Sequence, residues 1–308
     1  MVNSLKEDFK RTWNKPNNGL MQLIIINAVV FIFLALLLVV TKIIGADSFF
    51  ELVYKQFTLP GRIEVFLTRP WTIITYAFSH SLNNFFHILM NMLVLYWFGR
   101  VFIEFFGSQK LINLYILGSI AGGLTYLLAY NLIPFYSDRV DMFTGMVGAS
   151  AAVYAITVAV AVYVPDYKFY LLFFGPVKVK YLVGIYIFFS IIGSVGNNAG
   201  GNLAHLGGAL MGYLYVTRWR KGHEMGVWIF RGMEFVKSFF IRRPNIKVTH
   251  KRTAKTRGGK SKPSSTSSST KKPDVNQADI DAILDKISEK GYDSLSKEEK
   301  EKLFNASK

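Results

Sequence analysis

The stretch VGASAAVY at 147–154 places one hydroxyl, that of Ser150, among glycine and alanine residues in a long apolar run. A serine hydroxyl becomes a good nucleophile only when a neighbouring base accepts its proton, and a neutral imidazole can do this. His205, in another apolar run, is the candidate base. A serine in a small-residue membrane helix can instead serve helix packing alone, so the elements around these residues decide between two interpretations.

Two more polar residues, His87 and Asn91, lie one helical turn apart in a third apolar run. Their side chains could donate hydrogen bonds to the oxyanion that forms when a serine attacks a carbonyl group. A backbone N–H near Ser150 could add a third donor, with Gly148 as a supporting residue. The sequence therefore contains the residue types of a serine nucleophile, a base and an oxyanion site.

The usual third member of a serine triad, a carboxylate that holds the histidine, has no candidate in the last three apolar runs. No Asp or Glu occurs between Asp166 and Glu224. Only a Ser–His dyad is possible, and an aromatic ring is the expected substitute for orienting His205. Tyr154 follows Ser150 by one helical turn and is the candidate ring.

Other hydrolytic chemistries are excluded by the composition. The chain has no cysteine, which removes thiol nucleophiles, thiolate metal sites and disulfides. It also has no HExxH motif and no pair of aspartates within the apolar runs, so zinc and aspartyl mechanisms for a membrane protease are absent. We expect no metal site.

Hydrophobic residues make up 51% of the 308 residues, yet the net charge is +16. These two values are compatible when apolar and basic residues are segregated along the chain, as in a multi-pass membrane protein with basic cytoplasmic segments. Most of the apolar runs reach the roughly 17–25 residues that a helix needs to cross a bilayer. The sequence predicts an all-α bundle of six transmembrane helices, at about 20–45, 83–106, 111–133, 145–164, 177–195 and 200–218.

Lysine and arginine residues are concentrated before the first run, in the second and fourth connections and after the last run. The positive-inside rule then places both termini in the cytoplasm. Spans two, four and six consequently run from outside to inside, and each of the four polar residues lies a few residues into its span. At 1.5 Å per residue, they share a layer roughly 6–12 Å below the outer surface.

Small residues repeat every four positions on two of these spans. Ala151, Ala155 and Ala159 form one stripe on span four, and Ala204, Gly208 and Gly212 form another on span six. Such stripes allow helix backbones to approach closely in a membrane. A close contact between spans four and six would bring the hydroxyl of span four to the imidazole of span six.

The predicted organisation has five parts. A cytoplasmic segment (1–19) precedes the six-helix membrane domain (20–220), an amphipathic juxtamembrane segment follows (221–249), then a basic, disordered linker (250–275) and a small cytoplasmic helical segment (276–308). Within the last part, Ser296 and Glu299 form a capping-box pattern. No chemistry is visible there, and its partner is unknown.

The sequence resembles the rhomboid family of intramembrane serine proteases over about 15–220. The matching pieces are HILMN at 87–91, GAS and AVY within 148–154, and AHLGG at 204–208. The stretch PWTIITYAFSH at 70–80 is similar to the segment that leads into the family's second span. The resemblance implies a six-helix fold with the nucleophile on the fourth span and the base on the sixth.

Carried over to this chain, the resemblance implies Ser150 as nucleophile, His205 as base, His87 and Asn91 as oxyanion donors, and Tyr154 as the ring stacked on the base. It further implies single-pass membrane proteins as substrates, cut near the outer ends of their helices, and no cofactor. Membrane lipids are the expected surroundings.

The chain departs from the family at Ala151, where the GxSG pattern usually has glycine, and the added methyl is expected to narrow the S1′ or oxyanion region. The segment 277–307 is similar to a C-terminal extension of rhomboids from Bacteroidetes-type bacteria, which implies a bacterial inner membrane.

Two other functions remain as hypotheses. A catalytically inactive rhomboid-like protein that binds or escorts membrane helices would tend to lose the serine or the histidine, and both are present. A transporter would show an inverted repeat and helices broken near the bilayer midplane, and neither is seen. The basic tail is expected to meet anionic lipid headgroups rather than nucleic acid.

Overall fold

The computed structural model describes residues 18–140, 145–171, 173–229, 231, 232, 235 and 277–306. The chain divides into two compact units, Met1–Pro244 and Asn245–Lys308. The predicted N-terminal segment (except residues 18 and 19), the linker at 250–275 and most of the amphipathic segment lie outside the described residues.

The first unit is mostly helical. In chain order its helices are α1 (Gly19–Ile43), α2 (Asp47–Tyr54), α3 (Ile63–Thr68), α4 (Thr72–Thr75), α5 (Phe85–Phe106), α6 (Ser108–Leu132), α7 (Pro134–Ser137), α8 (Ser150–Tyr163), α9 (Val179–Gly193) and α10 (Ala199–Arg220). Short 3₁₀ turns occur at Lys55–Phe57 and Tyr76–Phe78. Two strands, β1 (Lys168–Leu171) and β2 (Gly175–Lys178), pair antiparallel between α8 and α9.

Each of the six predicted apolar stretches contains one of the longer helices. By length and hydropathy, α1, α5 and α6 are candidate membrane spans, whereas α8 and α9 are apolar but shorter, with 14 and 15 residues. The last helix, α10, has 22 residues and includes several glycines and two arginines near its end. Six helices are thus present where they were predicted, and three of them are long and apolar enough to span a membrane. That all six cross the membrane remains a prediction.

The central helix of the first unit is α8, which begins later than predicted. Ser150 is its first residue rather than lying about five residues inside a span. The segment before it is extended at Met146, which forms an isolated antiparallel bridge with Leu59 through hydrogen bonds of 2.8 and 2.9 Å. This pairing satisfies backbone groups that a helix would otherwise satisfy, a requirement at membrane depth. Pro165 follows the end of the helix and cannot continue it.

The small-residue stripes produce the predicted close contact between α8 and α10. A Cβ atom added to Gly208 would overlap the carbonyl oxygen of Ala151, and one added to Gly212 would overlap that of Ala155. On the other side of α8, a Cβ added to Gly118 would lie 2.6 Å from the Ala155 methyl. Glycine at these contact positions therefore allows α6 and α10 to lie directly against α8.

The second unit contains α11 (Gln277–Lys290) and α12 (Lys297–Ala306), joined by a 3₁₀ turn at Tyr292–Ser294. The predicted capping box is confirmed, because the Ser296 N–H donates to Glu299 Oε2 at 2.7 Å and the Glu299 N–H donates to Ser296 Oγ at 3.2 Å. The Ser296 backbone bond, with Lys286 as second contributor, lowers the pKa of Glu299. The capping box therefore begins α12, and Lys286 ties α12 to α11 at 2.9 Å.

Gly208→Ala should destabilise the protein, because the new methyl has to push α10 away from the Ala151 backbone. Overpacking of this kind costs roughly 1–3 kcal/mol of unfolding free energy. Gly184→Ala on α9 is the matched control, since nothing lies within 4 Å of its added Cβ. Denaturant unfolding of both variants in detergent micelles measures the difference, and equal stability would contradict the close contact.

Candidate active site

Ser150 and His205 are in direct contact. His205 Nε2 lies 2.8 Å from Ser150 Oγ, although the residues are 55 positions apart in the chain. The contact follows from the α8–α10 packing, because Gly208 lies one turn beyond His205 and faces Ala151, the neighbour of Ser150. The geometry is that of a hydroxyl next to a base that can accept its proton.

Tyr154 stacks on His205 as predicted. The two rings are nearly parallel, with an angle of 8° and a centroid separation of 4.2 Å. Ser150 and Tyr154 are four residues apart on α8 and therefore share a face of that helix. The Tyr154 hydroxyl donates to the backbone carbonyl of Tyr186 on α9 at 3.2 Å, which holds the ring in place.

Ser190 on α9 is a site residue that the sequence reasoning missed. Its Oγ lies 3.3 Å from His205 Nδ1 and donates to the Tyr154 hydroxyl at 2.9 Å. Its side chain is buried within a helix that otherwise has mainly apolar, exposed residues. A signal was available, because Ser190 lies one turn before the C-terminal end of α9, which the predicted orientation places on the side of the other polar residues.

His87 and Asn91 lie on α5 and face Ser150 across a cavity. The Ser81 N–H donates to His87 Nδ1 at 3.4 Å, which leaves the proton of a neutral imidazole on Nε2. The Asn91 amide donates to the His87 carbonyl at 2.7 Å, and this bond uses one of its two amide hydrogens. Each of the two side chains thus retains a donor suited to an oxyanion.

Gly148 takes part through its backbone conformation. Its φ is +135°, and an added Cβ would lie 3.0 Å from both Cε1 and Nε2 of His87. The Gly148 N–H donates to the Tyr76 carbonyl at 3.0 Å, so it does not point at the site. The backbone donor near the nucleophile is better supplied by Ser150 itself, because the first N–H groups of a helix have no partner within it.

The methyl group of Ala151 packs towards α6. An added Cβ at Gly122 on α6 would overlap the Ala151 methyl, so the methyl is directed towards α6. Gly122 makes room for it. The Ala151 methyl therefore contacts α6, and Ala151 also lines the cavity over Ser150, so the expected narrowing of the S1′ or oxyanion region stays a prediction.

His80 lies in the connection before α5, where it is fully buried and its ring lies 5.2 Å from that of His87 in an edge-on arrangement. Burial, and to a smaller extent the neighbouring His87, lower the pKa of His80 to about 3. The ring is therefore neutral at physiological pH and adds no charge beside the candidate oxyanion donors.

A cavity of about 430 Å³ lies over Ser150 and His205 and reaches Asn197 and Asn198 in the loop before α10. Polar and apolar groups both line it. A second, smaller cavity of about 170 Å³ lies between α5, α8 and α9 and is lined by residues that include Met90, Ser150 and Tyr186. Ser150 borders both cavities, so the hydroxyl can be approached from two directions.

Two family descriptions match the chain. The Rhomboid domain matches residues 67–221, and a family of unknown function (DUF6576) matches residues 271–308. The first match covers half of the chain and includes every site residue described above.

Three relatives are similar over part of their length. RHOMBOID-like protein 12, mitochondrial, of Arabidopsis thaliana is 36% identical over 163 residues, 50% of this chain and 48% of the relative. Rhomboid-like protein 16, chloroplastic, of the same plant is 29% identical over 69% of this chain and 67% of the relative. Rhomboid protein 1, mitochondrial, of Saccharomyces cerevisiae is 33% identical over 49% of this chain and 42% of the relative. The chain thus spans about half of two relatives and two thirds of the third.

Gly148→Ala should slow the reaction of Ser150 with a fluorophosphonate, a reagent that labels activated serines. The methyl would press on the His87 ring, and displacements of about 1 Å in such sites can cost on the order of 10²-fold in rate. Gly175→Ala is the control, because it shares a positive φ, +65°, but has nothing within 4 Å of its added Cβ. Gly175→Ala should label at the wild-type rate, and equal labelling of the two variants would contradict the contact between position 148 and the His87 ring.

Proposed function

Because the chain belongs to the rhomboid family, we propose that it is an intramembrane serine endopeptidase with Ser150 as nucleophile and His205 as base. The observation that carries the proposal is the 2.8 Å contact between Ser150 Oγ and His205 Nε2, with Tyr154 stacked on the imidazole. The substrates would be single-pass membrane proteins, cut near the outer ends of their transmembrane helices.

In the first step, His205 Nε2 takes the Ser150 proton while Oγ attacks the carbonyl carbon of the scissile peptide bond. The resulting oxyanion would receive hydrogen bonds from His87 Nε2–H, from the second amide hydrogen of Asn91 and from the Ser150 N–H. Collapse of the tetrahedral intermediate breaks the C–N bond, and the imidazolium returns its proton to the leaving amine. An acyl group then remains on Ser150.

In the second step, His205 takes a proton from water, and the resulting hydroxide attacks the acyl carbon. The second collapse releases the carboxylic acid and returns the proton to Ser150 Oγ, so no net charge accumulates. The cavity of about 430 Å³ above the dyad is large enough for several waters. Asn197 and Asn198 at its rim would keep it wet in an otherwise apolar environment.

Six membrane crossings, by α1, α5, α6, α8, α9 and α10, form part of the proposal. The 14 residues of α8 extend only about 21 Å, less than the roughly 30 Å hydrocarbon core. The bridged segment before Ser150 would make up the remaining depth. A nucleophile at the buried start of a short helix is then reached by water through the outer cavity, while the bundle still closes the membrane below it.

The orientation and the compartment come from the sequence. The distribution of lysine and arginine supports cytoplasmic termini and a site that opens to the outer side. The relatives are named as mitochondrial or chloroplastic proteins, whereas the expectation of a bacterial protein rests on the resemblance noted above for the segment 277–307. A bacterial inner membrane therefore remains a prediction that rests on that segment.

An inactive rhomboid-like protein that binds membrane helices is the second candidate. Two of the relatives are named rhomboid-like, and family membership alone does not imply activity. The intact dyad favours the protease, because a pure binding protein needs neither the nucleophile nor the base in contact.

Ser150→Ala and His205→Ala should each abolish cleavage of a model single-pass substrate by the purified protein, because the dyad loses its nucleophile or its base. A loss of 10³-fold or more is expected for a nucleophile–base pair. Wild-type protein should also react with a fluorophosphonate, and Ser150→Ala should not. Folded wild-type protein that neither cleaves nor labels would favour the inactive rhomboid-like protein.

Substrate helices are expected to reach the site laterally between α5 and α9, where the smaller cavity lies. Linking Met90→Cys on α5 to Tyr186→Cys on α9 should slow cleavage of a membrane substrate at least tenfold, because α9 can no longer move outward. The cysteine-free chain makes the link specific. Each single cysteine variant and the unlinked pair are controls, and unchanged cleavage in the linked protein would count against lateral access through this gap.

A further inference from the structure

We infer that Ser190 is a positioning residue that fixes the tautomer of His205. His205 therefore holds the tautomer of a general base only while α9 packs against α8 and α10. The inference rests on the proposed function for its catalytic meaning. Its physical basis is a continuous row of hydrogen bonds through Ser150, His205, Ser190, Tyr154 and the carbonyl of Tyr186.

The direction of every bond in this row follows from its last member. The Tyr186 carbonyl can only accept, so the Tyr154 hydroxyl donates to it at 3.2 Å. The Tyr154 oxygen is then the acceptor for Ser190 Oγ–H at 2.9 Å. A serine hydroxyl has one hydrogen, so the Ser190 oxygen can only accept from His205 at 3.3 Å.

His205 therefore carries its proton on Nδ1, and Nε2 presents a lone pair towards Ser150 Oγ at 2.8 Å. This is the tautomer that a general base requires. In a triad the same task falls to a carboxylate. Here a neutral hydroxyl performs it, which avoids placing a charge inside the membrane.

Both anchors of the row lie one turn apart on α9. Within α9, all of which is described, only the side chains of Val179, Val183 and Ser190 are buried. Neighbours such as Phe188 and Ile191 are more than half exposed. The helix is thus held mainly through its start and through the turn that contacts the dyad, and an outward movement of α9 would remove the partners of His205 Nδ1 and of the Tyr154 hydroxyl together.

The coupling has a consequence for catalysis. A substrate helix that displaces α9 would reach Ser150 while His205 lacks its hydrogen bond to Ser190 and its tautomer is not fixed. The tautomer with the proton on Nδ1 would be restored when α9 returns. Cleavage would then require closure after binding, which limits hydrolysis of helices that pass through the gap only briefly.

The first test is ¹⁵N NMR of the full-length protein labelled at its five histidines, with the His205 signals assigned by their loss in His205→Gln. Wild type should show a protonated Nδ1 and an unprotonated Nε2 at His205. Ser190→Ala should give signals averaged between the two tautomers, and Ser190→Thr, which keeps the hydroxyl, should restore the wild-type pattern. An unchanged pattern in Ser190→Ala would overturn the inference, and this measurement does not depend on protease activity.

The second test is kinetic and uses Ser194→Ala as the matched control. Ser194 directly follows the last residue of α9, and its Oγ donates to the Ile191 carbonyl at 2.7 Å rather than to a residue of the site. Ser190→Ala should lower kcat about tenfold with little change in KM, the size expected for one lost hydrogen bond in the transition state. Ser190→Thr should recover most of the rate, and Ser194→Ala should match wild type.

The two failures are distinguishable. Wild-type protein without activity, but with the predicted His205 tautomer, would reject the proposed protease function and keep the positioning role of Ser190. Active wild-type protein whose Ser190→Ala variant matches it in kcat and in the NMR pattern would reject the positioning role alone. Thermal unfolding of each variant identifies any loss of activity that comes from unfolding.

Discussion

The close approach of α8 and α10 is the constraint on which the rest of the structure depends. In a membrane, the hydrophobic effect does not drive helices together, because lipid tails are as apolar as the side chains. Helix contacts are therefore stabilised by tight packing and hydrogen bonds. Gly208 and Gly212 leave α10 without side chains where it meets the backbone of α8. The separation of the two backbones sets the distance between Ser150 Oγ and His205 Nε2. A methyl group added between the helices would push them apart and lengthen this distance beyond that of a hydrogen bond.

The proposed chemistry would take place at a site without a resident charge. Ionised side chains inside a bilayer are costly, and no carboxylate occurs between Asp166 and Glu224. The groups around the imidazole are instead neutral: a stacked tyrosine ring, a serine hydroxyl and a backbone carbonyl. Such an arrangement orients His205 well but stabilises an imidazolium less than a carboxylate would. Slow turnover would follow if the proposed protease function is correct.

Rigid and movable parts of the site come from different helices. Residues of α8 are buried along most of its length, and α8 is enclosed by α6 and α10. In contrast, α9 is largely exposed and contributes one buried polar side chain, that of Ser190. The candidate nucleophile thus lies on a well-packed helix, whereas Ser190, the group proposed to orient the base, lies on a largely exposed one. The proposed coupling of binding and base orientation rests on this division.

Much of the site was predictable because membrane proteins restrict the possibilities. The length of each apolar run predicts where a helix lies, and the placement of lysine and arginine predicts its orientation across the membrane. The helical rise per residue then predicts the depth of each polar residue. The contact between Ser150 and His205 and the α8–α10 contact followed from these patterns, and both are present in the structure. The stacking of Tyr154 was implied by the family resemblance and the capping box of α12 by a Ser-x-x-Glu pattern, and both are also present. Their roles in catalysis stay predictions.

The sequence by itself determined which helices form and which polar residues share a depth. Only the tertiary structure decided how each helix is rotated about its axis, and therefore which residues meet. Ser190 contacts His205, Gly148 donates its N–H to Tyr76, and the ring of His80 lies beside His87 because of such rotations. Rotation depends on packing between segments that are far apart in the chain. A pattern along one helix contains no information about the partner that its side chain will reach.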